Sequence, residues 1–527
     1  MIVAKSYGVS LLGLAGTPIE IEAEISSNLP NFVLVGLPDA SLTEAKDRVR
    51  SATNNSGFTL PARRITVNLS PASVPKHGSG FDLAIAVAVL TASGQLNPKS
   101  VADAVHLGEL ALDGSLRPIA GVLPSLLAAK KAGFSRAIVP QQNLTEALLV
   151  NDMHIIGVSS LAEVANLHGA NVSVPASKNK GLVKVETVST HPSPKVDVSD
   201  VIGQGVAIHA LTVAAAGGHH LLMVGPPGAG KTMLAERLPT LLPDLEVEQA
   251  LENTAIHSIV AGHNRNWAGV DELLVRPPFE APHHTSSVAA LVGGGMGLPR
   301  PGLISFANNG VLFLDEAPEF AQPILEALRQ PLESGEVLIN RSAGSARFPA
   351  RFQLVLAANP CPCGKGQSTK GDCNCTPQQK VRYAAKLSGP LLDRIDIRLV
   401  IQPASAAEIA ISKDNQESGM NSEKLRELVS QARLRSSARL AGTPWRLNSQ
   451  VPGPYLRRQM NVEKAMRVKL DRKLELGELS MRGYDRCLRL AWTLADLSGE
   501  ERPNDQHISQ ALYLRGQDNP MELTCPT

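Results

Sequence analysis

Eight consecutive residues, Gly225, Pro226, Pro227, Gly228, Ala229, Gly230, Lys231 and Thr232, have the types and spacing of a loop that cradles phosphate. The glycines let backbone N–H groups curl around phosphate oxygens, and the start of the helix expected from Met233 adds partial positive charge. Lys231 would reach the β and γ phosphates, and the Thr232 hydroxyl would bind Mg²⁺. The segment Val311-Leu-Phe-Leu-Asp-Glu316 is a buried strand that delivers two carboxylates at its end. Asp315 would complete the Mg²⁺ shell through water, and Glu316 would polarise the attacking water. Alone, such a strand is common in protein cores. Paired with the loop, it points to Mg²⁺-dependent hydrolysis of ATP.

A second constellation is made of sulfur. Cys361-x-Cys363 and Cys373-x-Cys375 place four soft ligands in one polar loop. Four thiolates suit tetrahedral zinc, although pairs spaced by one residue are tighter than usual. His283-His284 reads as a loop pair used for hydrogen bonding rather than as further ligands.

The elements that must position these groups follow from periodicity. Ile19, Ile21, Ala23 and Ile25 alternate with glutamates, as in a half-buried strand, and Ile65, Val67 and Leu69 repeat the pattern. Asp113-Gly114 signals a hairpin turn, and helices are predicted over Phe81–Ala92 and Leu123–Ala132. Residues 173–197 are polar and proline-bearing, as expected of a linker. Beyond it, Leu221–Val224, Val311–Leu314 and Gln353–Ala357 are short apolar strands ending in polar loops, the pattern of a parallel sheet that binds ligands at its carboxyl edge. The last segment is helical, with apolar stripes at Leu425, Leu428, Val429 and Ala432, at Val462, Ala465, Met466 and Leu470, and at Tyr484, Leu488, Ala491 and Ala495. The division is thus 1–172, linker 173–197, 198–403 and 404–527.

Bulk properties bound the function. The chain has 527 residues, too many for one core. A hydrophobic share of 43% with 19% charged residues is that of a globular protein. Aromatics at 3% argue against single-strand binding mainly by base stacking, and a net charge of +2 reveals no nucleic-acid partner. No apolar run reaches the ~20 residues needed to span a bilayer, and six cysteines make no disulfide scaffold, so a cytoplasmic location with no membrane partner is expected.

The motifs Pro282-His-His-Thr-Ser-Ser, Gly293-Gly-Gly, Arg300-Pro-Gly, Asn359-Pro-Cys-Pro-Cys-Gly364, Leu387-Ser-Gly-Pro-Leu-Leu-Asp-Arg-Ile-Asp396 and Arg482-Gly-Tyr-Asp-Arg486 resemble the ComM/YifB family of AAA+ proteins, related to the ATPase subunit of magnesium chelatase. The resemblance spans essentially the whole chain. Phe306 and Asn308 stand where Leu and His are expected, and Met481 replaces a usual Ala; none of these touches the carboxylates. The resemblance implies an AAA+ P-loop core with a parallel sheet and a C-terminal helical lid. It implies further that Asn359 holds the hydrolytic water, that Arg394 is an arginine finger donated to the neighbouring subunit, and that Arg482 senses the γ phosphate from the lid. Gly203 and Gln204 would line the adenine pocket.

Pro75–Gly80, Leu107–Gly114 and Gly121–Gly133 resemble the proteolytic domain of Lon, an α/β fold of ribosomal S5-like type. A Ser–Lys dyad needs a nucleophile and a desolvated amine. Its serine position falls at Gly80 and its lysine position at Ser125, with Ser79 and Lys130 out of register. The first domain is therefore read as a non-catalytic structural or DNA-contacting layer. Glu280–Gly302 falls where related motors carry a helix-2 insertion, and Val337–Arg351 reads as a hairpin in which Arg341, Arg347 and Arg351 would grip DNA phosphates without sequence preference. The expectation is a homohexameric ring that drives DNA in recombination, of helicase or branch-migration type, notably in natural transformation. A chelatase-like motor remodelling a protein partner is one alternative, and an ATP-assembled unfoldase or scaffold another. The first domain is expected to set the chain apart from the chelatase subunit.

Overall fold

A computed structural model of the chain describes residues 3–36, 42, 44–76, 78–174, 196–260, 270, 272–295, 298–342, 344–366, 373–404 and 421–516. The linker expected at 173–197 lies, apart from its ends, outside the described residues, and so does most of the junction after residue 404.

The first segment is built on a seven-stranded mixed sheet. Its strands are β1 (Ala4–Leu12), β2 (Ala15–Ser26), β3 (Asn31–Val35), β4 (Arg64–Ser70), β5 (Ala104–His106), β8 (Arg136–Pro140) and β9 (His154–Val158), in the order β3-β4-β2-β1-β5-β8-β9. The ribbon β6 (Glu109–Leu110) and β7 (Leu116–Arg117) closes the turn foreseen at Asp113-Gly114, where Asp113 Oδ1 accepts from the Ser115 amide and hydroxyl. The alternation of β2 does what its pattern requires: Ile19, Ile21 and Ala23 are fully buried. The helix Asp82–Ala92 is buried on nearly every side, which explains an apolar run without amphipathic period. The other face of the sheet carries the helix Val122–Lys131, whose apolar side chains share a cluster with Ala255 of the next segment. Helix Val247–Val260 therefore packs against the first segment, and Ser258 holds it there through Glu146 and the Gly121 amide.

The second segment is a five-stranded parallel sheet in the order β11-β14-β17-β10-β18, from β10 (Leu221–Val224), β11 (Phe279–Glu280), β14 (Val311–Leu314), β17 (Gln353–Ala358) and β18 (Ile397–Val400). Strands β10, β14 and β17 are buried along their whole length, as expected where helices cover both faces. Val224 pairs with Ala358 and Leu314 with Leu356, so Gly225, Asp315 and Asn359 leave the sheet at one carboxyl edge.

Two ribbons stand beside this sheet: β12 (Gly293–Gly294) with β13 (Arg300–Pro301), and β15 (Glu336–Arg341) with β16 (Gly344–Pro349). The first segment covers part of the second ribbon. A Cβ on Gly13 would lie 2.9 Å from the Ala346 Cβ, and one on Gly344 would lie 3.3 Å from Leu12.

Helices Ser422–Arg439, Met481–Ser498 and Asp505–Leu514 form the last segment. Leu425, Val429, Ala432, Tyr484, Leu488 and Ala491 join one apolar cluster with Leu211, Leu234 and Leu238 of the parallel-sheet segment. Two expected stripes are corrected. Leu428 is 43% exposed, off the buried face. The run from Val462 to Leu470 is helical only over Val468–Glu475; Val462 and Leu470 are buried, but Ala465 faces solvent in a turn.

Candidate functional site

The phosphate-binding loop is shaped by two glycines with positive φ, Gly228 at 77° and Gly230 at 87°. Gly225 is required for another reason. A Cβ there would lie 2.3 Å from the Ile401 carbonyl oxygen, where the chain leaves β18. Helix Lys231–Leu241 then starts at once, with Gly230 as its N-cap.

Lys231 is 8% exposed. Its Nζ donates to the carbonyls of Gly225 (2.7 Å) and Pro226 (3.0 Å) and to Asn359 Oδ1 (3.1 Å). Burial pulls its ammonium below the ordinary lysine range, against the opposing pull of Asp315 and Glu316. Thr232 Oγ1 donates to Asp315 Oδ2 at 2.7 Å. A hydroxyl and a carboxylate this close form a hard-oxygen pair of the kind that holds Mg²⁺ with water and phosphate oxygens. The donor set fits that ion.

Glu316 has a left-handed backbone, φ 50° and ψ 44°. A non-glycine residue held there costs about 1–3 kcal/mol, a strain that clusters at functional sites. Its amide is held by Asp315 Oδ1 at 2.9 Å. Opposite it stands His284, with Nδ1 3.8 Å from Glu316 Oε2. Thr232, Glu236, Phe279, His284, Asp315 and Glu316 help line a cleft of about 290 Å³. Reading the histidine pair only as a hydrogen-bonding loop missed this. His283 bonds locally, to Thr285 at 2.8 Å, and both histidines line the cleft. Thirty-two positions separate His284 from Glu316, and no pattern in the sequence joins them.

Arg394 and Arg482 lie together in a second group. Arg394 pairs with Glu333 and bonds the Pro390 carbonyl, while Arg482 pairs with Asp393 at 3.1 Å. Burial, followed by the nearby charges of Arg329, Arg482 and Arg486, lowers the Arg394 guanidinium from its ordinary value. Next to them the sheet and the helical segment are joined by a buried polar network. Asp396, 1% exposed, accepts from His219 Nδ1 at 2.9 Å and pairs with Arg486. His219 Nε2 lies 2.8 Å from Thr493 Oγ1, and Asn448, Asp496 and Arg439 extend the chain. Burial would raise the Asp396 carboxyl, but Arg486 and the His219 hydrogen bond outweigh it and hold it well below the usual carboxylate range.

Gln204 Nε2 donates to the Gln402 carbonyl at 2.6 Å, and Gly203 beside it has φ 71°. A hollow of about 270 Å³ lies next to them, lined by Gly205, Val206, His209, Gln510, Tyr513 and Leu514.

The three candidate DNA-contacting arginines separate. Arg341 ends β15 and donates to the Gly295 carbonyl at 3.1 Å, which ties the two ribbons together. Arg347, on β16, is largely exposed and pairs with Glu336. Arg351 lies beyond the hairpin and pairs with Glu252 of helix Val247–Val260.

At the positions of the Lon-like dyad, Gly80 carries no side chain, and the Ser125 hydroxyl donates to the Gly121 carbonyl at 2.7 Å within its own helix. Ser79 pairs with Glu109, and Lys130 with Asn151 and Asp152.

The chain is similar to known proteins along nearly its whole length. A family model described as magnesium chelatase, subunit ChlI, matches residues 197–409. One described as subunit ChlI of Mg-chelatase matches 21–143, and one for the ChlI C-terminal part matches 419–515. An uncharacterized protein of Mycobacterium tuberculosis is 47% identical over 517 residues, covering 98% of this chain and 99% of the relative. Competence protein ComM of Haemophilus influenzae is 41% identical, with 98% of each chain covered. Uncharacterized protein YifB of Escherichia coli is 41% identical, with 96% of each covered. The magnesium-chelatase 38 kDa subunit of Rhodobacter capsulatus is 32% identical over 181 residues, 32% of this chain and 51% of the relative. A ChlI model matches residues 21–143, while the chelatase 38 kDa subunit of Rhodobacter capsulatus aligns with only 32% of this chain.

Proposed function

The chain belongs to the ComM/YifB family of AAA+ ATPases related to subunit ChlI of magnesium chelatase, and we propose that it is a homohexameric, ATP-driven DNA motor of helicase or branch-migration type. The observation that carries the ATPase part is the convergence of Lys231, Thr232, Asp315, Glu316 and Asn359 on one sheet edge. The DNA part is supported by similarity along the whole chain to a protein named for competence, and by Arg341 and Arg347 on a ribbon beside the core. The motor would act in the cytoplasm in DNA recombination, natural transformation included.

In this reading residues 198–403 form the motor core, 404–527 its lid, and 1–172 a non-catalytic layer packed on the core. Lys231 binds the β and γ phosphates, and Gly203 and Gln204 border the base. Thr232 and Asp315 would hold Mg²⁺, which would supply positive charge at the phosphates. Glu316 takes the proton of the attacking water, and Asn359 orients that water. Arg394 exchanges its bond with Glu333 for the neighbouring protomer's γ phosphate, where such a residue is worth ~10³–10⁵ in rate. Arg482 reports lid closure on the same phosphate group.

The test is strand displacement on forked and four-way DNA, with Lys231→Ala and Glu316→Gln as controls. ATP-dependent displacement lost in both variants is the expected result. ATP turnover unaffected by DNA, with no displacement, would favour remodelling of a protein partner instead.

A further inference from the structure

Past the end of β17, two Cys-x-Cys pairs distant in sequence meet. Cys361 Sγ lies 3.3 Å from Cys363 Sγ and 3.7 Å from Cys373 Sγ, and Cys363 and Cys373 are also 3.7 Å apart. All four sulfurs, with Cys375, fall within 4.8 Å of one another. A tetrahedron of Zn–S bonds of about 2.3 Å has edges of about 3.8 Å, so the thiols already stand near its corners. Four thiolates leave no open position, the donor set of a structural rather than a catalytic zinc.

We propose that Cys361, Cys363, Cys373 and Cys375 bind one zinc ion, and that this knot positions Asn359 against the phosphate-binding loop. Residues 359–366 and 373–376 contain no helix or strand, and of the four cysteines only Cys361 is buried. Apolar packing therefore gives this loop little hold, and closing it costs chain entropy that a metal crosslink offsets. Among the described residues, it attaches to the nucleotide site at one end and to the next helix at the other. Asn359 is two residues before Cys361. A Cβ on Gly364 would lie 2.6 Å from Pro227 Cγ, so the first cysteine turn rests directly on the phosphate-binding loop. Cys375 precedes Thr376, whose capping box with Gln379 opens helix Pro377–Ala385. That helix leads toward the segment bearing Arg394. One ion would thus fix the exit of β17, the phosphate-binding loop and the start of the arginine-bearing segment together. The role for Asn359 rests on the ATPase reading; the metal site does not.

The experiment measures zinc in full-length, untagged protein by mass spectrometry, together with the spectrum of cobalt-loaded protein. About one zinc per chain is expected, with a tetrahedral cobalt–thiolate spectrum. The double variant Cys373→Ser, Cys375→Ser should lose both, while Cys487→Ala, altered in the lid core, keeps both. Zinc far below stoichiometric and no cobalt spectrum, in protein that still binds a fluorescent ADP analogue, overturns the site. The positioning role predicts that the double variant loses at least about tenfold in kcat while its affinity for the analogue stays within about twofold, the pattern of a lost transition-state contact. Unchanged kcat in zinc-free protein overturns that role and leaves the ATPase assignment intact.

Discussion

Lys231 Nζ donates to Asn359 Oδ1 across 3.1 Å, which joins the phosphate-binding loop to the end of the central strand β17. The two residues stand 128 positions apart, yet the pairing of Val224 with Ala358 leaves them almost no freedom to separate. The lysine proposed to bind phosphate and the amide proposed to orient water thus share one hydrogen bond.

Asn359→Ala should therefore act on chemistry more than on binding. A fall of about 10²-fold in kcat is expected, as for loss of one preorganised hydrogen-bonding group. Affinity for a fluorescent ADP analogue should hold within several-fold. Steady-state turnover and equilibrium titration check both.

His284 Nδ1 lies 3.8 Å from Glu316 Oε2, and its ring packs against His283 with centroids 4.2 Å apart. Glu316→Gln should abolish turnover while keeping ATP bound, seen as slow release of labelled ATP. His284→Ala should lower kcat by roughly tenfold, less than the ~10²–10⁴ of a general base itself, because it acts through Glu316. Turnover unchanged in His284→Ala would remove it from the site.

Arg394 and Lys231 should complement in trans. Each single variant, Arg394→Ala or Lys231→Ala, is expected to be inactive. A mixture allowed to exchange subunits should regain turnover, because an intact arginine then meets an intact loop across a shared boundary. Mixtures as inactive as their components would place the Arg394 function within its own chain.

Asp396→Asn breaks the buried bond between sheet and lid. Removing one partner of such a pair costs about 3–5 kcal/mol, because a charge is left buried without compensation. The pH dependence has a definite sign. The folded carboxyl titrates below its unfolded value of about 3.9, so its contribution is full above that pH and is lost as pH falls through the folded value. Denaturant midpoints below about pH 4 should fall more steeply for the native chain than for the variant.

Arg341 and Arg347 should matter to DNA alone. Replacing both by alanine should leave turnover without DNA unchanged, and should weaken DNA binding and flatten its salt dependence. Nitrocellulose retention at two salt concentrations measures this.

The sequence by itself made the nucleotide loop and the carboxylate strand legible, because both are local: strand, turn and helix follow one another within a dozen residues, although Gly225 also answers to the distant Ile401 carbonyl. It also determined β2, β4 and the helix Met481–Ser498, where a period of 2 or 3.6 is carried by a continuous run. It misplaced Leu428 and Ala465, because a few apolar residues at helical spacing do not say whether a partner covers them. Only the tertiary structure decided that His284 faces Glu316, that Arg351 leaves the hairpin to meet Glu252, and that Asp396 binds the lid through His219 and Arg486. Each of these joins residues far apart in the chain. The register of a parallel sheet and the packing of helices bring them together, and neither leaves a repeat in the sequence.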